Sequence, residues 1–258
     1  MGTRGVLPGQ LVPLAAHPDR GWCLGPLVAR QCAAAGTGTL CVAHQEGQEV
    51  TPPFTVMLCS GLAFALGVLG FLQWRFGSAD TLVFVIVSGC FPAGMDFLSS
   101  FVVQNYAYPG QSPLWVWCFI FFGWIGMCGS CLLVAEGILA SAHRDMLTQP
   151  HLWWRVPLLT GVIAVVLDLF IDPVAVTAGY WLWFVPGTVY YGIPLLNYVG
   201  WFVLMCLTPL AWILIARYRH WDLWTKGAIA IGALIPLSLA AIFLSALLNG
   251  AIGLFGVQ

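Results

Sequence analysis

Charge is what this chain most lacks. Nine Lys or Arg and ten Asp or Glu are spread over 258 residues, and 60% of the side chains are hydrophobic. Charged residues make up 7% of the chain, against roughly 25% in ordinary soluble domains. So few cannot cover a water-facing surface, which excludes a soluble globular domain and leaves an integral membrane protein. The formal net charge of −1 provides no basic field, so nucleic acid and other polyanions are not expected as partners. Motifs for bound groups are missing too. There is no Gly-rich phosphate loop, no nucleophile elbow and no His-Glu-x-x-His, and the histidines avoid the apolar runs. Neither a cofactor nor a metal is expected.

Long apolar runs are abundant. A spanning helix needs about 20 apolar residues, and six runs qualify: Phe54 to Trp74, Thr81 to Val103, Leu114 to Ser141, Trp154 to Ile171, Leu195 to Ala216 and Gly227 to Leu248. They are continuously apolar, whereas barrel strands alternate, so an all-α polytopic transmembrane bundle is predicted as one domain over residues 54–258. The stretch Pro173 to Pro194 is rich in Pro, Gly, Trp and Tyr. It reads as a re-entrant or interfacial segment, and Pro173 makes Asp172 the predicted last helical residue before it.

Arg75, Arg144, Arg155, Arg217, Arg219 and Lys226 fall in the first, third and fifth connections, while the second and fourth contain no Lys or Arg. The positive-inside rule therefore makes the odd connections cytoplasmic. The cell (plasma) membrane is the expected location. Residues 1–53 lack both helical periodicity and a signal-type apolar core, and read as a disordered tail or as sequence ahead of a later start such as Met57. Cys23, Cys32 and Cys41 recur there near His17 and His44, but the spacing is no recognised zinc pattern and the odd count leaves a thiol over.

Cys128 and Cys131 form a C-x-x-C in mid-span among Gly126, Gly129 and Ser130. Small residues at this spacing let helices approach, so packing explains them better than redox chemistry. Trp74, Trp115, Trp153, Trp181 and Trp221 lie near span ends, where aromatic belts form.

Ionisable residues at membrane depth are few: Asp96, Glu136, Asp168 and Asp172, with Asn197 and Asn249 as neutral polar companions. Such residues are functional candidates by default. Glu136 comes late in its span, beside His143 and Arg144, and is assigned a solvated interfacial role. The direction of each span brings Asp96, Asp168, Asp172 and Asn197 to one level near the outer end, together with Tyr106, Tyr190 and Tyr191. Asp168 and Asp172, four residues apart, share a helix face. Two acids so placed in apolar surroundings form a proton-sharing pair. A proton-coupled transporter would use the same acids as carriers, although no inverted repeat of broken spans is evident.

The stretch "LDLFIDPVAVTAGYWLW" from Leu167, followed by "YYGIPLLNYVGWF" from Tyr190, resembles the paired signature of the carotenoid biosynthesis membrane protein family. That family includes carotenoid end-group hydratases such as bisanhydrobacterioruberin hydratase. Asp172 to Ala175 and Tyr191 to Asn197, ending in Gly200, Trp201 and Phe202, carry most of the likeness. Members commonly have a glutamate and a Gly-Tyr-x-Tyr stretch around the second and third spans. Here "PAGMDFLSSFVVQNYAYPG" begins at Pro92, so Asp96 stands for the glutamate and Tyr106 with Tyr108 for the tyrosines.

The resemblance implies addition of water to the terminal C=C bond of an acyclic carotenoid drawn from the bilayer, giving a tertiary alcohol without a cofactor. The residues suit that chemistry, since protonating such an alkene needs a neutral carboxylic acid and creates a cation that carboxylates or ring faces can stabilise. Asp168 is the expected proton donor and Asp172 the ionised partner that positions water, with Asp96 a third catalytic acid. Tyr190, Tyr191, Trp181 and Tyr106 are expected to contact the substrate and Asn197 to hold the water. A non-catalytic scaffold associated with other carotenoid enzymes is the remaining alternative.

Overall fold

The computed structural model describes residues 54–140, 145–185 and 187–253. The expectations for the tail through residue 53, with its Cys and His, and for His143 and Arg144 lie outside the described residues. Among the described residues six helices are long and apolar enough to cross a membrane: α1 (Phe54–Phe76), α2 (Ser78–Val103), α3 (Pro113–Leu139), α4 (Leu152–Thr177), α5 (Leu195–Ala216) and α6 (Leu223–Gly253). Where no water is available, a helix satisfies its own backbone groups, which is why each apolar run adopts one. The chain is thus a multi-pass α-helical membrane protein, as the composition predicts.

Two features depart from the sequence reading of the helices. Asp172 does not end α4, which continues through Pro173 to Thr177 and also contains Pro157. Proline removes one backbone hydrogen bond, yet it is tolerated in a span because neighbouring groups re-satisfy the freed carbonyl. The second departure is in α2, where Val85–Cys90 and Leu98–Val103 are π-helical turns on either side of the α-helical stretch Phe91–Phe97. A π turn widens the helix locally and re-aims the side chains beyond it, a device frequent at functional sites.

Beyond Thr177 the Pro-rich stretch forms short strands rather than a helix. β1 (Tyr106–Ala107) pairs antiparallel with β2 (Leu182–Trp183), tying the second connection to the fourth. β3 (Thr188–Tyr190) folds back on β4 (Ile193–Pro194), which leads directly into α5.

Helix contacts depend on missing side chains. A Cβ on Gly129 would lie 2.2 Å from Val68 Cγ1, and one on Gly126 2.6 Å from Phe64 Cδ1, so α3 presses its glycines against α1. Gly161 does the same for α4 on α5, where a Cβ would meet Cys206 Sγ at 2.5 Å. Cys128 and Cys131 of α3 are buried free thiols, which fits the packing role.

The end of the bundle that carries the first, third and fifth connections is held by ion pairs. Glu136 is only 4% exposed. It accepts from Arg75 Nη1 at 2.6 Å and Nη2 at 2.8 Å, and from Met146 N at 2.9 Å. The solvated role expected for Glu136 is therefore corrected: a bidentate guanidinium and a backbone donor replace its water. Lys226 pairs with Asp80 in the interior, Arg219 reaches Asp145 at 3.3 Å, and Arg217 stacks over Trp153.

Candidate active site

At the opposite end, α4 presents Asp168 and Asp172 one turn apart on a single face, 0% and 2% exposed. Asn197, in the first turn of α5, donates through Nδ2 to both. It reaches Asp168 Oδ2 at 2.7 Å and also binds Asp172 Oδ2. The extended backbone at Pro194 starts α5 where this reach is possible. Asp168 Oδ1 is buried and meets no donor. Among the described residues no Lys or Arg forms an ion pair with either carboxyl group.

Asp96 sits on α2 between the two π turns and is half-buried. Its environment is different in kind. Oδ1 accepts from Tyr106 Oη, and from Tyr108 Oη at 3.3 Å, while Oδ2 accepts from Trp124 Nε1 at 3.3 Å. Burial, and then the Asp96 charge, hold the phenols of Tyr106 and Tyr108 well above their ordinary pKa, so both stay O–H donors. An indole N–H can only donate. Asp96 thus lies in a cradle of donors suited to an ionised carboxylate.

Two cavities adjoin these acids. The first, about 380 Å³, is lined by Asp172 and Asp96 and by the rings of Phe64, Phe119, Trp181 and Tyr108. The second, about 390 Å³, extends toward α6 and includes Ser245 and Asn249. Both share a wall made of Asp96, Tyr106, Trp124, Trp183, Asn197 and Trp201. The β1–β2 ladder lies at this wall through Tyr106 and Trp183, whose ring centroids are 4.6 Å apart. Trp124 and Trp201 approach to 4.7 Å.

The structure therefore brings together Asp96, Asp172, Asn197, Trp181 and Tyr106 around one cavity. Asp168 stands behind Asp172 and does not line it. Tyr190 and Tyr191 are 44% and 64% exposed on the β3–β4 hairpin and line neither cavity. Three indoles of the shared wall, Trp124, Trp183 and Trp201, have no site role in the sequence reading. Trp124 is 28 residues from the acid it binds, so no local spacing reveals it. Trp183 and Trp201 lie within the two quoted signature stretches and so carried a signal.

A family model described as carotenoid biosynthesis protein matches residues 54–256. No curated protein matches the chain, and neither does any solved structure.

Proposed function

The chain belongs to the carotenoid biosynthesis protein family, and from that premise we propose that it adds water to the terminal C=C bond of an acyclic carotenoid end group. The observation that carries this reading is the pairing of a carboxyl dyad with an aromatic cavity inside a membrane-spanning bundle. A polyene dissolved in lipid needs an apolar slot, and the ring faces of the first cavity supply one. Acid-catalysed hydration then needs a proton source, and a stabiliser for a tertiary cation.

Asp172 is the group that touches substrate, because it lines the cavity. It gives its proton to the CH carbon of the alkene. Asp168 acts through Asp172 as a positioning residue: the two carboxyl groups share the Asn197 amide, and one proton between them relieves the repulsion of adjacent charges in apolar surroundings. This inverts the roles assigned from sequence, where depth alone made Asp168 the donor. Indole and phenol faces near the reacting carbon stabilise the cation, each cation–π contact contributing about 0.5–2 kcal/mol.

Expression in a host that accumulates lycopene tests the reading. The expected product is heavier by one water, with Asp172→Asn abolishing it at unchanged protein level. Unchanged pigment across several acyclic carotenoids would overturn the proposal and return the chain to a scaffold or transport role.

A further inference from the structure

The two cavities share a wall but differ in the rest of their lining. Beyond that wall, the first adds Asp172, the rings of Phe64, Tyr108, Phe119 and Trp181, and Ser60 among aliphatic side chains. The second adds a polar group of Ser99, Asn105, Ser245 and Asn249 set among aliphatic side chains such as Leu98 and Ile242, with no carboxyl group other than Asp96. Asn105 donates to Ser99 Oγ at 3.0 Å, and Asn249 to the Ser245 carbonyl at 2.7 Å, so these groups are already ordered as a hydrogen-bonding surface. Rings suit a polyene. Hydroxyls and amides, two to four of them per guest molecule, suit water.

Asp96 stands in the partition and reaches both sides. Its oxygens accept from the hydroxyls of Tyr106 and Tyr108 and from the indole N–H of Trp124, which hold it in place at the partition. The geometry points to a division of labour that rests on the hydration reading: the polyene end occupies the first cavity, the second is a water chamber, and Asp96 is the base that deprotonates the attacking water.

The steps balance without an oxidant or reductant. The Asp172 O–H bond breaks as the alkene π pair forms a C–H bond, leaving a cation on the tertiary carbon. Water from the chamber forms the C–O bond across the partition, and its surplus proton passes to Asp96. Return of that proton to Asp172 resets the site, with one water consumed per alcohol formed. The Trp124 and Trp201 rings in the partition lie where they can flank the cation before capture.

Two glycines allow each cavity to be filled separately. Gly123 lines only the first cavity and Gly200 only the second, and a Cβ on either meets no atom within 4 Å. Purified protein in detergent would be loaded with lycopene, bound polyene read from its visible absorption, and kcat and KM measured. Gly123→Leu is expected to lose bound polyene and raise KM by roughly tenfold or more. Gly200→Leu, and independently Asn249→Leu, should keep the polyene and hold KM within about twofold while lowering kcat at least about tenfold. Asp96→Asn should follow that second pattern. Retained polyene in the latter variants also shows that they fold.

A wild type that hydrates lycopene while Gly200→Leu and Asn249→Leu keep full kcat would overturn the chamber and leave the hydration reading standing. Displacement of polyene by those two variants would overturn it as well. Wild-type protein that binds lycopene and forms no alcohol would instead overturn hydration itself.

Discussion

The acids carried by the spanning helices fall into two kinds, separated by whether a cation faces them. Glu136 has Arg75, and Asp80 has Lys226, whose side chain is 3% exposed. Asp96, Asp168 and Asp172 have only neutral donors. The two kinds should respond oppositely to substitution. Lys226→Met strands a buried carboxylate, a loss of about 3–5 kcal/mol. It should lower the midpoint of thermal unfolding in detergent sharply, with most of the loss recovered in the Asp80→Leu, Lys226→Met double variant. Asp172→Asn removes one of two crowded carboxyl groups that no cation offsets. It should leave the unfolding midpoint unchanged or raise it while product formation disappears, since functional sites keep groups that stability alone would discard. A lowered midpoint in Asp172→Asn, comparable to that of Lys226→Met, would show the dyad to be structural.

The helices were the most legible part of the sequence, because bilayer thickness imposes their length and apolarity leaves few other conformations. The bounds predicted for α5 coincide with those observed. What escaped was anything set by contact rather than by local pattern. Pro173 sits inside α4 instead of ending it, since the bias against helix before proline is a local preference that tertiary packing overrides. The π turns of α2 leave no periodic trace in an all-apolar run, so the orientation of Asp96 could not be read. Asp168 and Asp172 were legible as a pair through their spacing of four, but which of them faces the cavity depends on the packing of α4 against its neighbours. Glycines mark that packing. Gly129→Ala must push Val68 away from a 2.2 Å approach and part α1 from α3, at a cost of about 1–3 kcal/mol. Gly137 lies on the same helix with nothing within 4 Å of its added Cβ. Gly137→Ala should therefore be neutral or stabilising, by up to about 1 kcal/mol. Parallel thermal melts of the two variants measure the difference, and equal effects would mean that α1 and α3 are not held by this contact.

Taken whole, the molecule is polar in the directional sense. Arg75, Arg217, Arg219 and Lys226 gather with Glu136, Asp145 and Asp80 at one end, and the carboxyl dyad, the Asp96 cradle and both strand ladders occupy the other. Cations beside short connections stay in the cytoplasm during insertion, which predicts that the ion-paired end faces inward and that the site opens toward the outer leaflet. That arrangement suits the proposed chemistry, because a carotenoid end group and water meet only where hydrocarbon gives way to headgroups. Single cysteines, placed in a chain otherwise free of cysteine, test it. Ser112 and Thr188 are exposed at the site end, and Thr148 and His220 at the ion-paired end. In intact cells a membrane-impermeant maleimide should label Ser112→Cys and Thr188→Cys, and should reach Thr148→Cys and His220→Cys only after the membrane is opened. The reverse pattern would place the site on the cytoplasmic side. The wall that admits water would then face the cell interior, and the substrate would be drawn from the inner leaflet.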